Sequence, residues 1–139
     1  MSWKSYVDKL MDDGLACQDA AIVGYRENPY VWASYCGGKF GSITSEEIDT
    51  LTKDRSSLFI NGLTIGNIKC SVIRDGLDVD GDWTMDLRTK DAGGGPTYNI
   101  TIGKSGKALV FAMGNAGVHG GKLQMRVHDM ADHLRKAGY

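Results

Sequence analysis

Turn signals recur along residues 58–114 and leave room for only short strands between them. Each signal separates two runs of residue types that favour strands. Because short connections join neighbouring antiparallel strands, this stretch predicts a meander within one sheet. The signals are Asn61-Gly62, Asp80-Gly81, the three glycines at 93–95 and Ser105-Gly106.

A hairpin and a short helix are predicted before this meander. The runs AAIVGY and YVWASY are rich in β-branched and aromatic residues, and the intervening RENP contains Pro29, which favours a turn. Further on, Thr44 stands three residues before Glu47, the capping-box pattern that satisfies the first amide groups of a helix. We therefore expect a hairpin and then a helix within ITSEEIDTLTKD.

Both ends of the chain have the spacing of amphipathic helices. The first segment, WKSYVDKLMDDG, ends at Gly14, a residue type that commonly follows a helix. Its apolar positions are Trp3, Tyr6, Val7, Leu10 and Met11. The last segment, KLQMRVHDMADHLRKAGY, has its apolar positions at Leu123, Val127, Met130 and Leu134.

This order of elements predicts an α+β fold with one antiparallel sheet and helices packed on its faces. No repeat, linker or low-complexity segment divides the chain, so residues 1–139 are expected to form a single domain. If both terminal helices lie on the same face of the sheet, the aromatic side chains of the first come close to the end of the last. Trp3 and Tyr6 would then lie near His133, Leu134 and Tyr139.

Composition excludes several classes of protein. The net charge is −1 and the pI about 6.3, so no overall field favours nucleic acid, and any anionic partner must meet a local patch. No apolar run approaches the roughly 20 residues of a membrane span, and the N-terminus lacks the apolar stretch of a signal peptide. We expect a cytosolic chain whose three cysteines, without C-x-x-C spacing, are reduced core residues.

Sequence motifs for catalysis and metal binding are incomplete. The segment AGVHGGKL is similar to a phosphate loop, but Ala116 and Leu123 stand where that motif needs glycine and a hydroxyl residue. The segment DVDGDWTMD fails as a calcium loop because Trp83 and Thr89 occupy its glycine and glutamate positions. The three histidines complete no metal-ligand spacing, and no nucleophile elbow is present. We expect no enzyme activity, metal or cofactor.

Aromatic residues near both termini have two interpretations. Flat rings with N–H and O–H donors suit a polyproline II ligand, whose pyrrolidine rings need grooves and whose carbonyl groups need donors. Aromatic residues at helical spacing are, however, more commonly core residues. The residues concerned are Trp3, Tyr6, Trp32, His133 and Tyr139.

Longer strings identify a resemblance. In order along the chain, CQDAAIVGY, KDRSS, NGLTIG, KCSVIRD, MDLRTK, GVHGG and MADHLRKAGY resemble animal profilins of the vertebrate type. The resemblance extends from Trp3 to Tyr139 with at most a one-residue length change near Leu15. It implies a central antiparallel sheet with both terminal helices on one face and short helices on the other. It also implies binding of monomeric actin, of proline-rich segments of formins and related actin regulators, and of phosphoinositides.

The resemblance assigns residues to a proline groove and to an actin-binding face. The groove comprises Trp3, Tyr6, Trp32, His133, Leu134 and Tyr139, while a groove position that is commonly Asn in the family is Lys9 here. The actin-binding face comprises Phe59, Ile60, Lys69, Ser71, Val72, Arg74, Arg88, Lys90, Thr97, Asn99, Val118, His119 and Gly121, with Gln124, Met125, His128 and Asp129 on the last helix. Arg74 has the opposite strand parity from Lys69, so twist or a bulge must bring it to the same edge.

The last helix departs from the family pattern. Vertebrate-type profilins usually have Asn, Lys and Tyr where this chain has Gln124, Met125 and His128, and an acidic residue is retained as Asp129. Loss of a lysine and of an interface aromatic removes a charge pair and contact area. We therefore predict actin binding that is weaker than usual. The alternative is a polyproline- and phosphoinositide-binding module whose actin binding is weakened or lost.

The basic residues predict a further partner, a phosphoinositide. Local positive patches could bind a phosphoinositide headgroup at a membrane surface, weakly and with strong salt dependence, because the chain carries no net positive charge. The candidates are Lys69, Arg74, Arg88, Lys90, Arg126, Arg135 and Lys136. With these partners we expect a monomer in the cytoplasm, at the cytoskeleton and the cell cortex. A nucleotide-binding enzyme built on the loop at 117–122 is a third, weaker hypothesis.

Overall fold

The computed structural model describes residues 2–11, 17–26, 28–53, 55–118 and 120–139. Within these ranges the helices are α1 Trp3–Met11, α2 Ser45–Thr52, α3 Leu58–Asn61 and α4 Gly120–Lys136, with a 3₁₀ turn at Phe40–Ser42. The strands are β1 Cys17–Gly24, β2 Tyr30–Ser34, β3 Leu63–Ile65, β4 Ile68–Gly76, β5 Thr84–Thr89, β6 Asn99–Lys104 and β7 Ala108–Gly114. No helix in these ranges is long and apolar enough to cross a bilayer.

The strands form one seven-stranded sheet in the order β2-β1-β7-β6-β5-β4-β3, and every neighbouring pair is antiparallel. Strands β4 to β7 are consecutive both in sequence and in space, which confirms the predicted meander. Strands β1 and β2 form the predicted hairpin. Pairing of β1 with β7 then joins the hairpin to the meander.

Helices cover both faces of the sheet. Helices α1 and α4 lie on one face and bury Val7, Leu10, Leu123, Val127 and Leu134 against the small side chains of β1 and β7. The 3₁₀ turn, α2 and α3 pack apolar residues against the strands in a second core on the opposite face. The predicted division of terminal and short helices between the two faces is confirmed. The predicted stop at Gly14 lies outside the described residues.

A capping box starts α2 and also connects it to the sheet. The Thr44 hydroxyl accepts a hydrogen bond from the Glu47 amide at 3.1 Å, and the Glu47 carboxylate accepts one from the Thr44 amide at 3.0 Å. The same carboxylate accepts a bond from the Gly66 amide at 3.0 Å. The predicted cap is therefore confirmed, and it also holds the turn between β3 and β4.

One predicted turn is wrong. Asn61-Gly62 ends α3 instead of forming a hairpin: the Gly62 amide donates to the Leu58 carbonyl at 2.8 Å. The hairpin that follows turns at Gly66 and Asn67, whose φ angles of 57° and 70° suit a two-residue type I′ turn. Left-handed residues serve both helix ends and hairpins, so the dipeptide alone does not distinguish the two.

Helix α4 lies very close to the sheet where it crosses β6. A Cβ atom at Gly103 would lie 2.8 Å from Val127 Cγ1 and 3.1 Å from Ala131 Cβ, which is closer than side chains pack. The missing side chain therefore sets the height of α4 above the sheet.

The cysteines divide by environment. None of the three, all of which lie within the described residues, forms a disulfide; Cys17 and Cys70 are buried and Cys36 is exposed. Burial raises the pKa of the Cys70 thiol to about 12, so it stays protonated at neutral pH. The predicted core role is therefore confirmed for two of the three.

Candidate functional site: an aromatic groove and a strand face

Aromatic rings from three distant parts of the chain meet between α1 and the end of α4. The Trp3 ring centroid lies 4.5 Å from that of Trp32, 4.8 Å from that of Tyr139 and 5.6 Å from that of Tyr6. Tyr6 in turn lies 5.6 Å from the His133 ring. These distances are typical of favourable aromatic pairs, so the five rings form one continuous surface, called here the aromatic groove.

Local packing explains why the rings meet. Trp32 lies over β1 because Gly24 has no side chain; a Cβ there would lie 2.4 Å from Trp32 Nε1. Tyr139 is held by its main chain, whose carbonyl accepts a bond from the Ser105 hydroxyl and whose amide donates to Leu134, each at 2.8 Å. Leu134 itself is fully buried, so it supports the groove as a core residue.

The groove rings are half-buried or exposed, and their polar atoms are unused. Tyr139 is 41% exposed, and Trp3, Tyr6, Trp32 and His133 have intermediate burial or greater exposure. Within the described part of the chain, the indole N–H and phenol O–H groups of these residues make no hydrogen bond. Rings that were simply core residues would be covered and their donors paired. The cluster therefore offers flat apolar area and free donors together.

Sequence reasoning missed Tyr30, which extends this surface. Its ring lies 6.4 Å from Trp32, and the side chain is 58% exposed. The signal was available, because residues 30 and 32 have the same parity on β2 and therefore share a face.

Polar side chains of β4, β5 and β6 form a second surface, called here the strand face. Arg88 donates to the Thr97 hydroxyl at 3.0 Å and to the Asn99 side-chain carbonyl at 2.8 Å. Asn99 donates to the Val118 carbonyl at 3.3 Å, and Ser71 lies opposite Arg88 on β4. Arg88, Thr97, Asn99 and Ser71 therefore share one face of the sheet. Next to these residues, the Lys90 amide donates a hydrogen bond to the Lys69 carbonyl at 2.8 Å.

A bulge brings Arg74 to the strand face, as its parity required. The β4–β5 register shifts between Val72 and Arg74, so that Arg74 lies opposite Asp86. Its guanidinium binds Asp86 at 2.8 Å, Asp82 at 2.5 Å and the Thr84 hydroxyl at 2.6 Å. Burial alone would raise the pKa of Asp82, but hydrogen bonds from Thr84 and Arg74 outweigh burial and lower it.

The first half of α4 borders this face. Gln124 donates to the Thr84 hydroxyl at 3.2 Å, and His128 Nε2 lies 3.2 Å from the Gly81 carbonyl. His128 Nδ1 lies 3.5 Å from the carboxylate of Asp129, while Met125 makes no such contact and is 64% exposed.

Comparison with known proteins agrees with this geometry. The Profilin family model matches residues 1–139. The chain belongs to the profilin family. It is 59% identical to Profilin-2 of Bos taurus over 138 residues, which covers 99% of this chain and 98% of that protein. It is 56% identical to Profilin-1 of Mus musculus with the same coverage.

Solved profilin structures have the same fold. A mouse profilin IIa in complex with a double repeat from the FH1 domain of mDia1 has a TM-score of 0.96, 58% identity and complete coverage of both chains. Human profilin II has a TM-score of 0.93 over 97% of this chain and 99% of that one. Profilin IB of Acanthamoeba castellanii, at 20% identity and full coverage of that chain, shares the fold with a TM-score of 0.73.

The remaining residues assigned from the profilin resemblance have varied environments. Phe59 and Ile60 on α3 are 60% and 87% exposed, whereas Val72 is buried at 8% and offers little surface. Val118 and Gly121 flank the start of α4. His119 lies outside the described residues.

The basic residues assigned to phosphoinositide binding are not brought into one patch. Arg126 donates to the Leu10 carbonyl at 3.1 Å, beside α1. Arg135 stacks on Trp83 at 3.7 Å and donates to the Lys104 carbonyl. Lys136 pairs with Asp132 at 2.9 Å. Arg74 and Arg88 share the strand face, and Lys69 and Lys90 adjoin it, joined to each other through a main-chain hydrogen bond.

The structure also argues against a phosphate loop in the segment AGVHGGKL. Leu123, where the motif needs a hydroxyl residue, is 1% exposed and lies in the core under α4. This position therefore presents apolar surface to the sheet and no metal ligand to a nucleotide.

Proposed function

We propose that this chain is an actin-monomer-binding adaptor that brings actin to proline-rich assembly factors. The observation that carries the proposal is the aromatic groove, a continuous row of half-exposed rings with unused donors, on a profilin fold with a separate strand face. Profilins are non-enzymatic actin-binding proteins, and the solved mouse relative at 58% identity binds a double repeat from the FH1 domain of mDia1. No catalytic residue is needed for this role.

The groove is suited to a polyproline II segment. Such a segment has exposed carbonyls without internal hydrogen bonds, and its rings pack flat against aromatic side chains. We assign this contact to Trp3, Tyr6, Trp32, His133 and Tyr139, with Leu134 as their buried support. The half-exposed rings would be covered on binding, and their donors would find the ligand carbonyls.

The strand face is the proposed actin surface. To the polar groups around Arg88 we add the exposed apolar side chains of Phe59 and Ile60 on α3, a helix that contacts β4. An apolar centre with polar groups at its rim is the usual composition of a protein interface. We assign to it the residues named from the resemblance, including His119 and the α4 positions 124, 125, 128 and 129.

The two surfaces use different parts of the sheet. The groove depends on β2, the edge strand, and on the last turns of α4, whereas the strand face depends on β4 to β6 and the first turns of α4. A proline-rich segment and an actin monomer would therefore bind at the same time. We propose a monomer of one domain over residues 1–139.

We propose weak phosphoinositide binding through Lys69, Arg88 and Lys90. Arg88 lies on the strand face and the two lysines adjoin it, and each cation contributes roughly 1 kcal/mol beside an anionic membrane. Such binding would compete with actin and decrease with salt. Because profilin homologues are soluble cytoplasmic actin regulators, we place this chain in the cytoplasm, at the cytoskeleton and the cell cortex.

The experiment is a pair of titrations on one preparation, with a polyproline peptide and with nucleotide-bound actin monomers. We expect both to bind, and prior saturation with peptide is expected to leave actin affinity unchanged. Peptide binding that excludes actin would contradict the two-surface adaptor.

A second candidate is a proline- and lipid-binding module with little actin affinity. It is favoured by Gln124, which bonds to Thr84, and by Met125 and His128, which replace a cation and a tyrosine of the family pattern. Peptide binding without actin binding at tens of micromolar, where binding free energies are about −6 kcal/mol, would favour this candidate.

A further inference from the structure

The aromatic groove has two chemically different ends. Helices α1 and α4 run antiparallel along it, since Trp3 meets Tyr139 at one end and Tyr6 meets His133 further along. Beyond Tyr6, the Leu10 carbonyl accepts a hydrogen bond from Arg126 of α4. The groove therefore continues from an aromatic end towards an end that carries a cation.

Lys9 lies at this second end. It follows Tyr6 by three residues on α1, which places it on the neighbouring turn and about 4.5 Å further along the helix axis. Its side chain is exposed and makes no hydrogen bond or ion pair among the described residues. By contrast, Lys4 on the same helix already pairs with Asp8 at 3.5 Å. Lys9 thus offers an unpaired charge beside the aromatic rings.

A lysine at this position also has a simpler explanation. A cation in the last turn of a helix interacts favourably with the helix dipole, and Lys9 occupies the last turn of α1. That role would be satisfied wherever the helix pointed and would leave peptide binding unaffected. The two explanations therefore differ in what a charged ligand would experience.

We propose that Lys9 makes the groove selective for proline-rich segments that carry a carboxylate beside the proline run. The proposal rests on the proposed proline-binding function and specifies its ligand. A polyproline II segment advances about 3.1 Å per residue, so an Asp or Glu one to three residues beyond the proline between Tyr6 and His133 would reach Lys9. Arg126 adds positive charge at the same end. The partner is thus an acidic-flanked proline-rich segment.

The test compares end-capped proline peptides that differ by one atom type. Glu or its neutral isostere Gln is placed after the proline run in one pair of peptides and before it in another. We expect one Glu peptide to bind about threefold tighter than its Gln twin, the value typical of an exposed ion pair. The gain should disappear at about 1 M salt, where charges are screened beyond about 3 Å.

Variants of the chain assign the gain to Lys9. Lys9→Asn should abolish it and Lys9→Arg should retain it. Lys53→Asn is the matched control, since Lys53 is also an exposed lysine at a helix C-terminus but belongs to α2 on the opposite face. Asp12 and Asp13 follow α1 in the sequence and lie outside the described residues. Any repulsion of the Glu peptide by Asp12 and Asp13 is common to all variants, so it cancels when the Glu-to-Gln affinity ratio of each variant is compared with that of the unchanged chain.

Equal binding of Glu and Gln peptides in both positions would overturn the proposal, as would a gain that survives Lys9→Asn. The neutral peptides separate this result from the proposed function. A chain that binds the Gln peptides but ignores Glu keeps the proline groove and loses the selectivity. A chain that binds none of the peptides contradicts both.

Discussion

The aromatic groove and the strand face differ in whether their polar groups are already hydrogen-bonded. In the groove, the donors of Trp3, Tyr6 and Trp32 have no partner among the described residues, and the rings contact one another. On the strand face, Arg74 and Arg88 already make five hydrogen bonds to neighbouring side chains. The groove can therefore gain bonds on binding, while the strand face must exchange them.

This difference indicates where affinity comes from. An exchanged hydrogen bond contributes little net free energy, whereas a newly covered ring contributes in proportion to its area. At the proposed actin surface, the uncovered apolar groups at Phe59 and Ile60 should supply most of the affinity, and the paired arginines should supply specificity. The following predictions test this contrast, from the largest expected effect to the smallest.

Trp3→Ala should abolish binding of a polyproline peptide while leaving actin affinity nearly unchanged. Trp3 contacts three other groove rings, so its loss removes the centre of the surface. Tryptophan fluorescence or calorimetry measures the peptide, and a thermal melt checks the fold. Equal loss of both partners would mean that the change unfolds the domain or that the two surfaces are not separate.

Arg88→Glu should weaken actin binding by more than tenfold with peptide binding unchanged. The change reverses a charge and removes the bonds that hold Thr97 and Asn99 in position. Arg88→Lys serves as the milder control, because it keeps the charge without the two-pronged contact. Unaltered actin affinity in the glutamate variant would move the interface elsewhere.

Met125→Lys should strengthen actin binding by a few-fold, since it restores the family's cation at an exposed position. Exposed charge pairs contribute up to about 1 kcal/mol, which is about fivefold in affinity. The gain should decline as salt is added, and Met125→Leu should not reproduce it. A loss of affinity in the lysine variant would show that Met125 is itself an apolar contact.

Acid should weaken the hydrogen-bond network of the strand face. Hydrogen bonds lower the pKa of Asp82 below its ordinary value of 3.8, so the stability they supply is present above pH 3.8 and is lost as pH falls through the lowered value. Asp82→Asn should cost about 0.5 kcal/mol at pH 7 and less at pH 3. Urea unfolding at both pH values measures this; an equal cost at both would remove Asp82 from the acid response.

Sequence patterns predicted the elements better than their contacts. Helical spacing, the capping box and strand parity follow from local geometry, which is why α1, α2, α4 and the bulge at Arg74 were foreseeable. Asn61-Gly62 was not, because a glycine with a positive φ occurs both at helix ends and in hairpins.

Some long-range contacts could not be predicted from the sequence, although the predicted proximity of Trp3 to Tyr139 and of Tyr6 to His133 is confirmed. The stack of Arg135 on Trp83 joins residues that are far apart in the chain, and no periodicity indicates it. The same holds for Arg126, which bonds to the main chain of α1 rather than joining the other cations. Resemblance to profilins supplied the members of each surface, but the structure was needed to show which of their charges are already engaged.

Gly103 affects residues of α4 that it does not contact, because it sets how close the helix lies to the sheet. Only a glycine at this point lets the helix approach β6, and the same helix carries His133 and Leu134 to the groove and Gln124 to the strand face. A side-chain carbon at residue 103 would push α4 away from the sheet and displace both ends of the helix together. The absence of one methyl group at Gly103 therefore sets the position of α4 in both proposed binding surfaces.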